Sequence, residues 1–319
     1  MKRVLVTGGS GFVGRPFCQL LSDKGYPVRV SGRRPKADDF PKEMNYRHVP
    51  DLGPDTDWGD ALQDIDCVVH LAARVHVMHE TEPDPAAAFD KVNVAGSQNL
   101  ARQAAKAGVR RLVFLSTVKV NGEMTTTRPF AADDPACPLD AYAISKYKAE
   151  QALMNISNET GLDVVIIRPP LVYGPGVKGN FKSLIKLANS GLPLPLASVH
   201  NKRSLIYVGN LCHAIERTID HEKAKNQIFL VSDRDDLSTP DLIRCIATAS
   251  RRPERLFRFP QAVLSLIASL AGQKAKADRL LGSLQVNSDK IHRLLGWTPP
   301  YNVVQGMEQT VRANPEIHG

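Results

Sequence analysis

The chain has 319 residues, of which 43% are hydrophobic and 23% charged, and its formal net charge is +8. This length and composition exclude disordered, collagen-like and fibrous classes and suit one large domain, or a domain with a smaller lobe. The basic residues are dispersed, without an arginine-rich arm or an aromatic stacking motif, so we expect an anionic small molecule rather than nucleic acid as the partner. Five scattered cysteines without CxxC spacing predict reduced thiols in a cytoplasmic protein.

Apolar runs alternate with helical patterns along the first half of the chain. The runs predicted as strands are RVLVT (3–7), PVRVS (27–31), DCVVHLA (66–72), RRLVFLS (110–116) and DVVIIRP (163–169). Helical periodicity between them predicts helices after residue 13, over 85–107 and over 141–161. Strands alternating with helices indicate a parallel sheet covered on both faces, so the predicted fold class is α/β, with a Rossmann-type doubly wound sheet.

The pattern loosens after Pro169, where the Gly- and Pro-rich stretch PPLVYGPGVKGN begins. Short helices are predicted near 181–190, 209–221 and 239–250, and short strands near 204–208 and 227–231. We therefore predict a dinucleotide-binding Rossmann domain over 1–168. A smaller α+β substrate-binding lobe is predicted over 169–319, with some segments returning to the sheet. Because ligands bind at the carboxyl ends of such strands, the cleft between sheet and lobe is the expected site.

Two apolar segments bear on targeting. The first, MKRVLVTGG, lacks a long apolar core and a cleavage site, so we do not expect a signal peptide. The second, AVLSLIASLAG (262–272), is too short to span a bilayer, so no stable membrane insertion is expected. A core helix of the second lobe is the favoured interpretation. A contact with the membrane surface, helped by Lys274 and Lys276, is the minor alternative.

The motif TGGSGFVG (7–14) follows the first predicted strand and opens a helix. Gly8 permits a tight turn, Gly11 lets the backbone approach a pyrophosphate, and Gly14 allows close packing of helix on strand. The helix N-terminus offers free N–H groups and a positive dipole end to the phosphates. Strand, glycine triplet and helix together predict a dinucleotide site.

Two further motifs carry hydroxyls and an amine. In YAISK, Tyr142 and Lys146 lie four residues apart on one helix face, so the ammonium is expected to lower the pKa of the phenol from about 10. A tuned phenol can exchange a proton with a carbinol oxygen while hydride moves at the adjacent carbon. FLSTVKVNG (114–122) places the hydroxyls of Ser116 and Thr117 at the carboxyl end of a strand, where one can bond the same oxygen. Capping of the strand end remains an alternative for Ser116.

His70, His76 and His79 lie close together without a recognisable ligand pattern, so no metal site is expected.

Together these motifs resemble the extended short-chain dehydrogenase/reductase family, and within it the branch that acts on nucleotide sugars. The markers, which span nearly the whole chain, are TGGSGFVG, HLAA (70–73), NVAG (93–96), FLSTVKVNG, YAISK and RPPLVYGPG (168–176). The resemblance implies that Thr117 is the catalytic hydroxyl, Tyr142 the acid/base and Lys146 its partner. The residues implied to bind cofactor are Gly8, Gly11, Phe12, Val13, Gly14, Asp51, Leu52, Leu71, Ala72, Ala73, Tyr142, Lys146 and Pro169. It also implies a homodimer formed through the helix that bears YAISK.

The resemblance implies substrate contacts from the lobe as well. Asn180 in KGNF matches residues that contact the sugar nucleotide, Arg203 in KRSLIYVGN matches an arginine that contacts the phosphates, and Lys119 is expected at the substrate. The partner is therefore expected to be a UDP-sugar. Ser204, Tyr207 and Asn210 depart from the family pattern R-D-Y-I-H-V-x-D, which leaves the identity of the sugar open.

The stretch VSGRRP (30–35) ends the second predicted strand, where a carboxylate usually binds the ribose of NAD. Arg33 and Arg34 stand there instead and favour a 2′-phosphate, which predicts NADP(H), with NAD(H) as the alternative cofactor.

A preference for NADP(H) over NAD(H) favours an NADPH-dependent reductase of the C4 ketone of a UDP-4-keto-6-deoxy-N-acetylhexosamine. The sequence is similar to reductases that make UDP-N-acetylquinovosamine or -fucosamine for bacterial surface polysaccharide such as O-antigen. Two alternatives stay open: an NAD-dependent UDP-sugar 4-epimerase and a non-catalytic NADP-binding sensor.

Overall fold

The computed structural model describes residues 1–33, 44–75 and 82–313, apart from the side chains of residues 275 and 276. Its strands are β1 (Val4–Thr7), β2 (Val28–Gly32), β3 (Asn45–His48), β4 (Cys67–His70), β5 (Arg111–Leu115), β6 (Asp163–Arg168), β7 (Leu171–Tyr173), β8 (Leu205–Tyr207) and β9 (Ile228–Leu230). Its α-helices are α1 (Gly14–Asp23), α2 (Gly59–Leu62), α3 (Pro85–Phe89), α4 (Gly96–Lys106), α5 (Ala141–Thr160), α6 (Gly179–Asn189), α7 (Val208–Asp220), α8 (Thr239–Ala249), α9 (Gln261–Leu270), α10 (Lys274–Leu281), α11 (Asp289–Leu295) and α12 (Val303–Arg312). Arg34, His76 and His79 lie outside the described residues.

Within the described residues, seven strands form one sheet in the order β3-β2-β1-β4-β5-β6-β9, and all neighbouring pairs are parallel. The order of its first six strands is that of the doubly wound Rossmann fold, which confirms the predicted fold class. From β1 the chain passes to β2 and β3 on one side of β1, and it then crosses to β4 on the other side. The loops after β1 and β4 therefore diverge and leave a crevice at the carboxyl edge of the sheet.

Both faces of the sheet are covered, which is why its strands are continuous apolar runs. On β1, Val4 and Val6 belong to one apolar core and Leu5 belongs to the other. The sequence predicted these buried runs, and each predicted strand and helix is present with small differences at its ends. β3 was not predicted, because three of its four residues are exposed and polar, so no apolar run marks it.

The segment predicted as the smaller lobe, 169–319, contributes a strand to the sheet and also forms a separate strand pair. Strand β9 pairs with β6, with Ile166 opposite Ile228, whereas β7 and β8 form a separate parallel pair. The prediction of a core helix at 262–272 is wrong in one respect. Helix α9 forms, but none of its residues is buried. Of its apolar side chains, Leu264 packs against the main core, and several others face solvent.

The helix predicted over 85–107 is interrupted. Residues Asp90–Ala95 form a π-helical segment between α3 and α4. Such segments insert an extra residue into a helix and often occur at functional sites. Here the segment contains Asn93, which is 1% exposed and faces the loop after β4.

Candidate active site

The glycine-rich loop is packed so tightly that side chains could not replace its glycines. A Cβ on Gly8, which has a φ of +70°, would lie 2.7 Å from the backbone nitrogen of Ala72. A Cβ on Gly14 would lie 2.2 Å from the carbonyl oxygen of Gly8. The Gly11 amide donates to that same oxygen at 2.9 Å. The loop therefore forms a backbone cradle between β1 and β4, at the start of α1, and this geometry fits a dinucleotide pyrophosphate.

A buried hydrogen-bonded chain connects β1, β4 and α4 beneath this cradle. The Thr7 hydroxyl is bonded to Nδ1 of His70 at 2.7 Å and accepts from the Ala72 amide at 3.2 Å. Nε2 of His70 is bonded to the Ser97 hydroxyl at 3.0 Å. Burial, helped by the nearby Lys146 charge, lowers the pKa of His70 to about 3, so the ring is neutral. Both ring nitrogens of His70 are engaged in these hydrogen bonds, so neither is available to bind a metal ion.

The end of β2 carries no carboxylate. Its last residue is Gly32, and a Cβ there would lie 2.6 Å from the Tyr46 hydroxyl on β3. The following residue, Arg33, is exposed, and its carbonyl oxygen is hydrogen-bonded to Nε2 of His48 at 3.2 Å. Arg34 lies outside the described residues. The described part of this strand end therefore offers a guanidinium where an acidic ribose ligand would otherwise stand.

The loop after β3 also reaches the carboxyl edge. Asp51 is exposed, and its carboxylate accepts from the Leu52 amide at 2.7 Å. The space for a Cβ on Gly96 is filled by Leu52 and Gly53, so this loop packs directly on the start of α4. Phe12, Val13, Leu71, Ala72 and Ala73 are half-buried around the crevice.

Thr117 and Tyr142 are on adjacent segments. Thr117 follows β5 and caps a 3₁₀ turn, with its hydroxyl accepting from the Lys119 amide at 3.3 Å. The ammonium of Lys119 pairs with the carboxylate of Asp140 at 2.5 Å, and Asp140 is the N-cap of α5, which bears Tyr142. The Pro169 carbonyl accepts from the Val118 amide at 2.9 Å and ties the same turn to the end of β6. These contacts bring the turn after β5, the start of α5 and the end of β6 together at one edge.

Ser116 differs from its neighbour Thr117. It is 4% exposed, and its hydroxyl has no hydrogen-bond partner within the described part of the chain. Its amide donates to the Ile167 carbonyl at 2.7 Å, so it continues the pairing of β5 with β6. Capping of the strand end by its side chain, the alternative considered from sequence, is not observed.

The electrostatics of the tyrosine–lysine pair differ from expectation. Burial, with a smaller contribution from the Asp140 charge, raises the pKa of Tyr142 to about 12. Burial lowers the pKa of Lys146 to about 7, opposed by the Glu150 charge. The expected lowering of the tyrosine pKa is therefore wrong for this structure, because burial is the largest influence on the phenol and it raises the pKa. The Lys146 ammonium instead lies 3.8 Å from the centre of the Phe114 ring.

A buried ion pair between Glu150 and Arg168 stabilises the position of α5, the helix that bears Tyr142 and Lys146. Glu150 lies one turn beyond Lys146 on α5, and both of its carboxylate oxygens accept from Arg168, at 3.0 and 2.5 Å. Arg168 also donates to the side-chain oxygen of Asn121 at 3.0 Å. The pair fixes α5 to the end of β6, and it sets a negative charge near the lysine. Sequence reasoning missed both residues, although Arg168 opens the marker RPPLVYGPG.

The π-helical segment holds the loop after β4. Asn93 accepts from the Arg74 amide at 2.8 Å and donates to the Arg74 carbonyl at 3.0 Å and to the Ser145 hydroxyl at 3.0 Å. The Arg74 guanidinium lies over the Phe89 ring at 5.6 Å, and Phe89 meets Tyr142 edge to face at 6.0 Å. Asn93 thus connects the loop after β4 to α5, the helix that bears Tyr142. The marker NVAG contained this signal, but its spacing alone did not predict a π-helix.

The residues expected to bind substrate are only partly gathered. Asn180 is exposed in the first turn of α6. The Arg203 guanidinium donates to the carbonyl oxygens of Arg279 at 2.7 Å and Gly282 at 3.0 Å, and burial lowers its pKa. Lys119 is engaged with Asp140 and Glu123. In the described structure, Arg203 and Lys119 are engaged with other residues and not with each other, so the shared role of these three side chains stays a prediction.

The three departures from the family pattern take part in internal hydrogen bonds. The Ser204 hydroxyl donates to Asp236 at 2.5 Å and accepts from the Val286 amide at 2.9 Å. The Tyr207 amide and the Asn210 side chain both donate to Asp233, Asn210 at 2.7 Å. These residues hold β8 and α7 against the rest of the lobe, which explains how the pattern can change here without removing Arg203.

Among the described residues, no group of three His, Cys, Asp or Glu side chains could hold a metal ion, and no helix has the length and apolar character to cross a membrane. The site is therefore built from a glycine cradle, two hydroxyl-bearing segments and a buried lysine. This combination can bind a dinucleotide and move a proton beside it.

Comparison with known proteins agrees with this description. Residues 4–232 match the model of the NAD dependent epimerase/dehydratase family. A UDP-glucose 4-epimerase from Vibrio cholerae is 42% identical over 315 residues, covering 98% of this chain and 95% of that protein. An N-acetyl-alpha-D-glucosaminyl-diphospho-ditrans,octacis-undecaprenol 4-epimerase from Escherichia coli O157:H7 is 26% identical, with 97% and 94% covered.

Solved structures share the fold over its whole length. The UDP-glucuronic acid 4-epimerase from Bacillus cereus, solved with NAD, superposes with a TM-score of 0.78 at 19% identity, covering 99% of this chain and 100% of that one. The UDP-glucose 4-epimerase from Thermotoga maritima, solved with UDP-glucose, gives a TM-score of 0.76 at 21% identity, with 98% and 99% covered. The chain belongs to the NAD dependent epimerase/dehydratase family and is an NAD(P)-dependent enzyme of the extended short-chain dehydrogenase/reductase type.

Proposed function

We propose that this enzyme uses NADPH to reduce the C4 ketone of a UDP-4-keto-6-deoxy-N-acetylhexosamine. The product would be a UDP-N-acetylquinovosamine- or fucosamine-type sugar for bacterial surface polysaccharide. The observation that carries the proposal is the end of β2, where Gly32 is followed by Arg33 and where the described residues, which end at Arg33 and resume at Met44, include no carboxylate. A guanidinium at this position suits a 2′-phosphate, and NADPH is the usual donor for a net reduction.

The roles of the catalytic residues follow from their environment. A reduced dinucleotide whose pyrophosphate lay in the glycine cradle would supply a hydride to C4 from its nicotinamide ring. Thr117 and Tyr142 hydrogen-bond the C4 oxygen, and Tyr142 gives its proton to the oxygen as the alkoxide forms. Burial keeps the pKa of the Tyr142 phenol at about 12, so it is protonated at neutral pH and begins the reaction as an acid. Lys146 stabilises the phenolate that remains.

The substrate-binding roles extend this proposal to the lobe. Arg203 would hold the diphosphate, since a guanidinium forms paired hydrogen bonds with phosphate oxygens. For this it must exchange its bonds to the carbonyl oxygens of Arg279 and Gly282. Asn180 and Lys119 would contact the sugar nucleotide from the opposite rims.

An NAD-dependent UDP-sugar 4-epimerase is the second candidate. It is favoured by the Vibrio cholerae relative, whose name is UDP-glucose 4-epimerase and whose identity is 42%. An epimerase removes a hydride from C4 and returns it to the other face, so its first step needs Tyr142 as a base. A cofactor-binding sensor is a weaker candidate, because the Thr117, Tyr142 and Lys146 set would have no purpose in it.

The proposal is tested by the cofactor preference of an Arg33→Ser, Arg34→Ser double variant. We expect its NADPH Michaelis constant to rise about tenfold or more while the NADH value changes little, because only NADPH has the 2′-phosphate. An Arg102→Ser, Arg110→Ser double variant, which removes two exposed arginines away from the end of β2, is the charge-matched control. Equal changes in both Michaelis constants would refute the assignment of the arginines.

A further inference from the structure

Helix α9 presents a stripe of apolar side chains to solvent. Val263, Leu266, Ile267 and Leu270 are 39%, 60%, 54% and 81% exposed. Their spacing is that of one face of an α-helix, so they form a continuous row along it. The opposite side of the helix contains Leu264, which packs against the core. A surface helix normally has polar side chains outward, whereas α9 exposes this apolar row in addition to Ser265 and Ser269.

The residues around this stripe are strongly basic. Segment 251–279 contains seven Lys or Arg residues and two acids, Glu254 and Asp278, and no acid occurs between them. Glu254 is paired with Arg244 of α8 at 3.1 Å, so its charge is neutralised within the fold. The exposed basic side chains that flank α9 in the described structure are Arg251, Arg255, Arg258, Lys274 and Arg279. An apolar row with basic residues at both ends is complementary to an interface in which anionic groups cover an apolar layer.

The length of α9 restricts how it can meet such a surface. With 10 residues it is far shorter than the ~20 residues that span a bilayer. A short helix with an apolar face and basic flanks lies in the interfacial plane, with the apolar side chains at the boundary between headgroups and acyl chains.

The stripe is attached firmly to the lobe on both sides. Before α9, the Phe257 amide donates to the Leu194 carbonyl at 3.0 Å, and the Ala197 amide donates to the Phe257 carbonyl at 3.1 Å. After α9, the end of α10 supplies the Arg279 and Gly282 carbonyl oxygens that accept from Arg203. The same helical pair that exposes the stripe therefore contacts the arginine at the candidate phosphate site.

We propose that α9 and its basic flanks form a peripheral docking surface for an anionic lipid bilayer. The row of Val263, Leu266, Ile267 and Leu270 enters the interface, and the flanking arginines and lysines contact lipid phosphates. Binding is reversible and requires both contributions, since neither a short apolar row nor dispersed basic charge is sufficient for stable attachment. The proposal stands independently of the reaction catalysed.

Sedimentation with vesicles tests the docking surface on the full chain. We expect the wild-type protein to bind vesicles that contain phosphatidylglycerol, to bind pure phosphatidylcholine vesicles much less, and to dissociate as salt is raised. The Leu266→Ser, Ile267→Ser double variant should lower the partition coefficient about tenfold or more. Arg255→Ser with Arg258→Ser should lower binding only to the anionic vesicles.

The control is Val304→Ser on α12, because Val304 is 56% exposed and Ile267 is 54% exposed. This control should bind like the wild type. All these side chains face solvent, so melting temperatures should stay close to that of the wild type. Wild-type protein that fails to bind anionic vesicles, or stripe variants that bind unchanged, would overturn the proposal. It would also fail if the wild type were a dimer in solution that the stripe variant converts to a monomer, because a second copy would then cover the stripe.

Discussion

The Glu150–Arg168 ion pair gives the sharpest test of how the catalytic helix is supported. Both side chains are almost fully buried, at 3% and 4% exposed, and two hydrogen bonds join them. Glu150→Gln keeps the shape but removes the charge and replaces one of the two acceptor oxygens with a donor, so Arg168 is left buried without an ion-pair partner. Breaking such a pair from one side costs about 3–5 kcal/mol of unfolding free energy.

The same helix offers a matched control. Glu159 pairs with Arg102 at 3.0 Å, but their side chains are 53% and 58% exposed. Glu159→Gln should therefore change the unfolding free energy by about 1 kcal/mol or less. Urea unfolding of both variants measures the difference directly. If Glu150→Gln destabilised no more than Glu159→Gln, the buried pair would not be the support that we describe.

The same substitution should alter the pH dependence of turnover. Glu150 raises the pKa of Lys146, which burial lowers to about 7, so removal of the Glu150 charge lowers that pKa further. Lys146 then loses its proton at lower pH, and the alkaline limb of the rate profile moves in the same direction. An unchanged alkaline limb in Glu150→Gln would contradict the coupling between these residues.

Two further predictions concern the sheet edge. His70 has a pKa of about 3 when folded and about 6.5 when unfolded, so the unfolded state binds more protons as pH falls below 6.5. Protonation of His70 in the unfolded state should remove about 2 kcal/mol of unfolding free energy between pH 7 and pH 5. The urea midpoint should therefore fall less steeply with decreasing pH in His70→Gln than in the wild type. An identical slope would be evidence against a neutral buried ring. Gly14→Ala places a Cβ 2.2 Å from the Gly8 carbonyl oxygen and should weaken NADPH binding by about 1–3 kcal/mol in a fluorescence titration. Gly108→Ala adds a Cβ that meets no atom within 4 Å, and its φ of +79° makes the change cost stability without touching the cradle, so it should bind NADPH normally. Wild-type affinity in Gly14→Ala would contradict the cradle.

The parts of the fold that were predictable are those encoded by local pattern. Buried strands such as β1 and β6 are continuous apolar runs, and the glycine triplet marks the turn into α1. The strand β3 was not predictable in this way, because NYRH is polar and depends on pairing with β2. Helix α9 shows the opposite error: its hydrophobicity predicted burial, but hydrophobicity does not specify which surface will cover a helix.

The site was predictable to the level of segments and not of electrostatics. Thr117, Tyr142 and Lys146 lie on segments that meet, as their motifs predict. The pKa of Lys146 is lowered by burial, which includes its contact with the Phe114 ring, and raised by the charge of Glu150. Sequence spacing reveals neither influence. Asn93 acts through a π-helical segment, whose extra residue leaves no distinct periodic signal.

The central claim is that the enzyme consumes a reduced cofactor instead of recycling it. The most direct measurement is NADPH oxidation by purified enzyme with a UDP-4-keto-6-deoxy-N-acetylhexosamine, alongside the cofactor content of the protein as isolated. We predict that NADPH is oxidised in equal amount to the C4 alcohol formed and that no tightly held NAD is released on denaturation. Copurified NAD, with interconversion of UDP-sugars and no net oxidation of NADPH, would contradict the account and establish an epimerase.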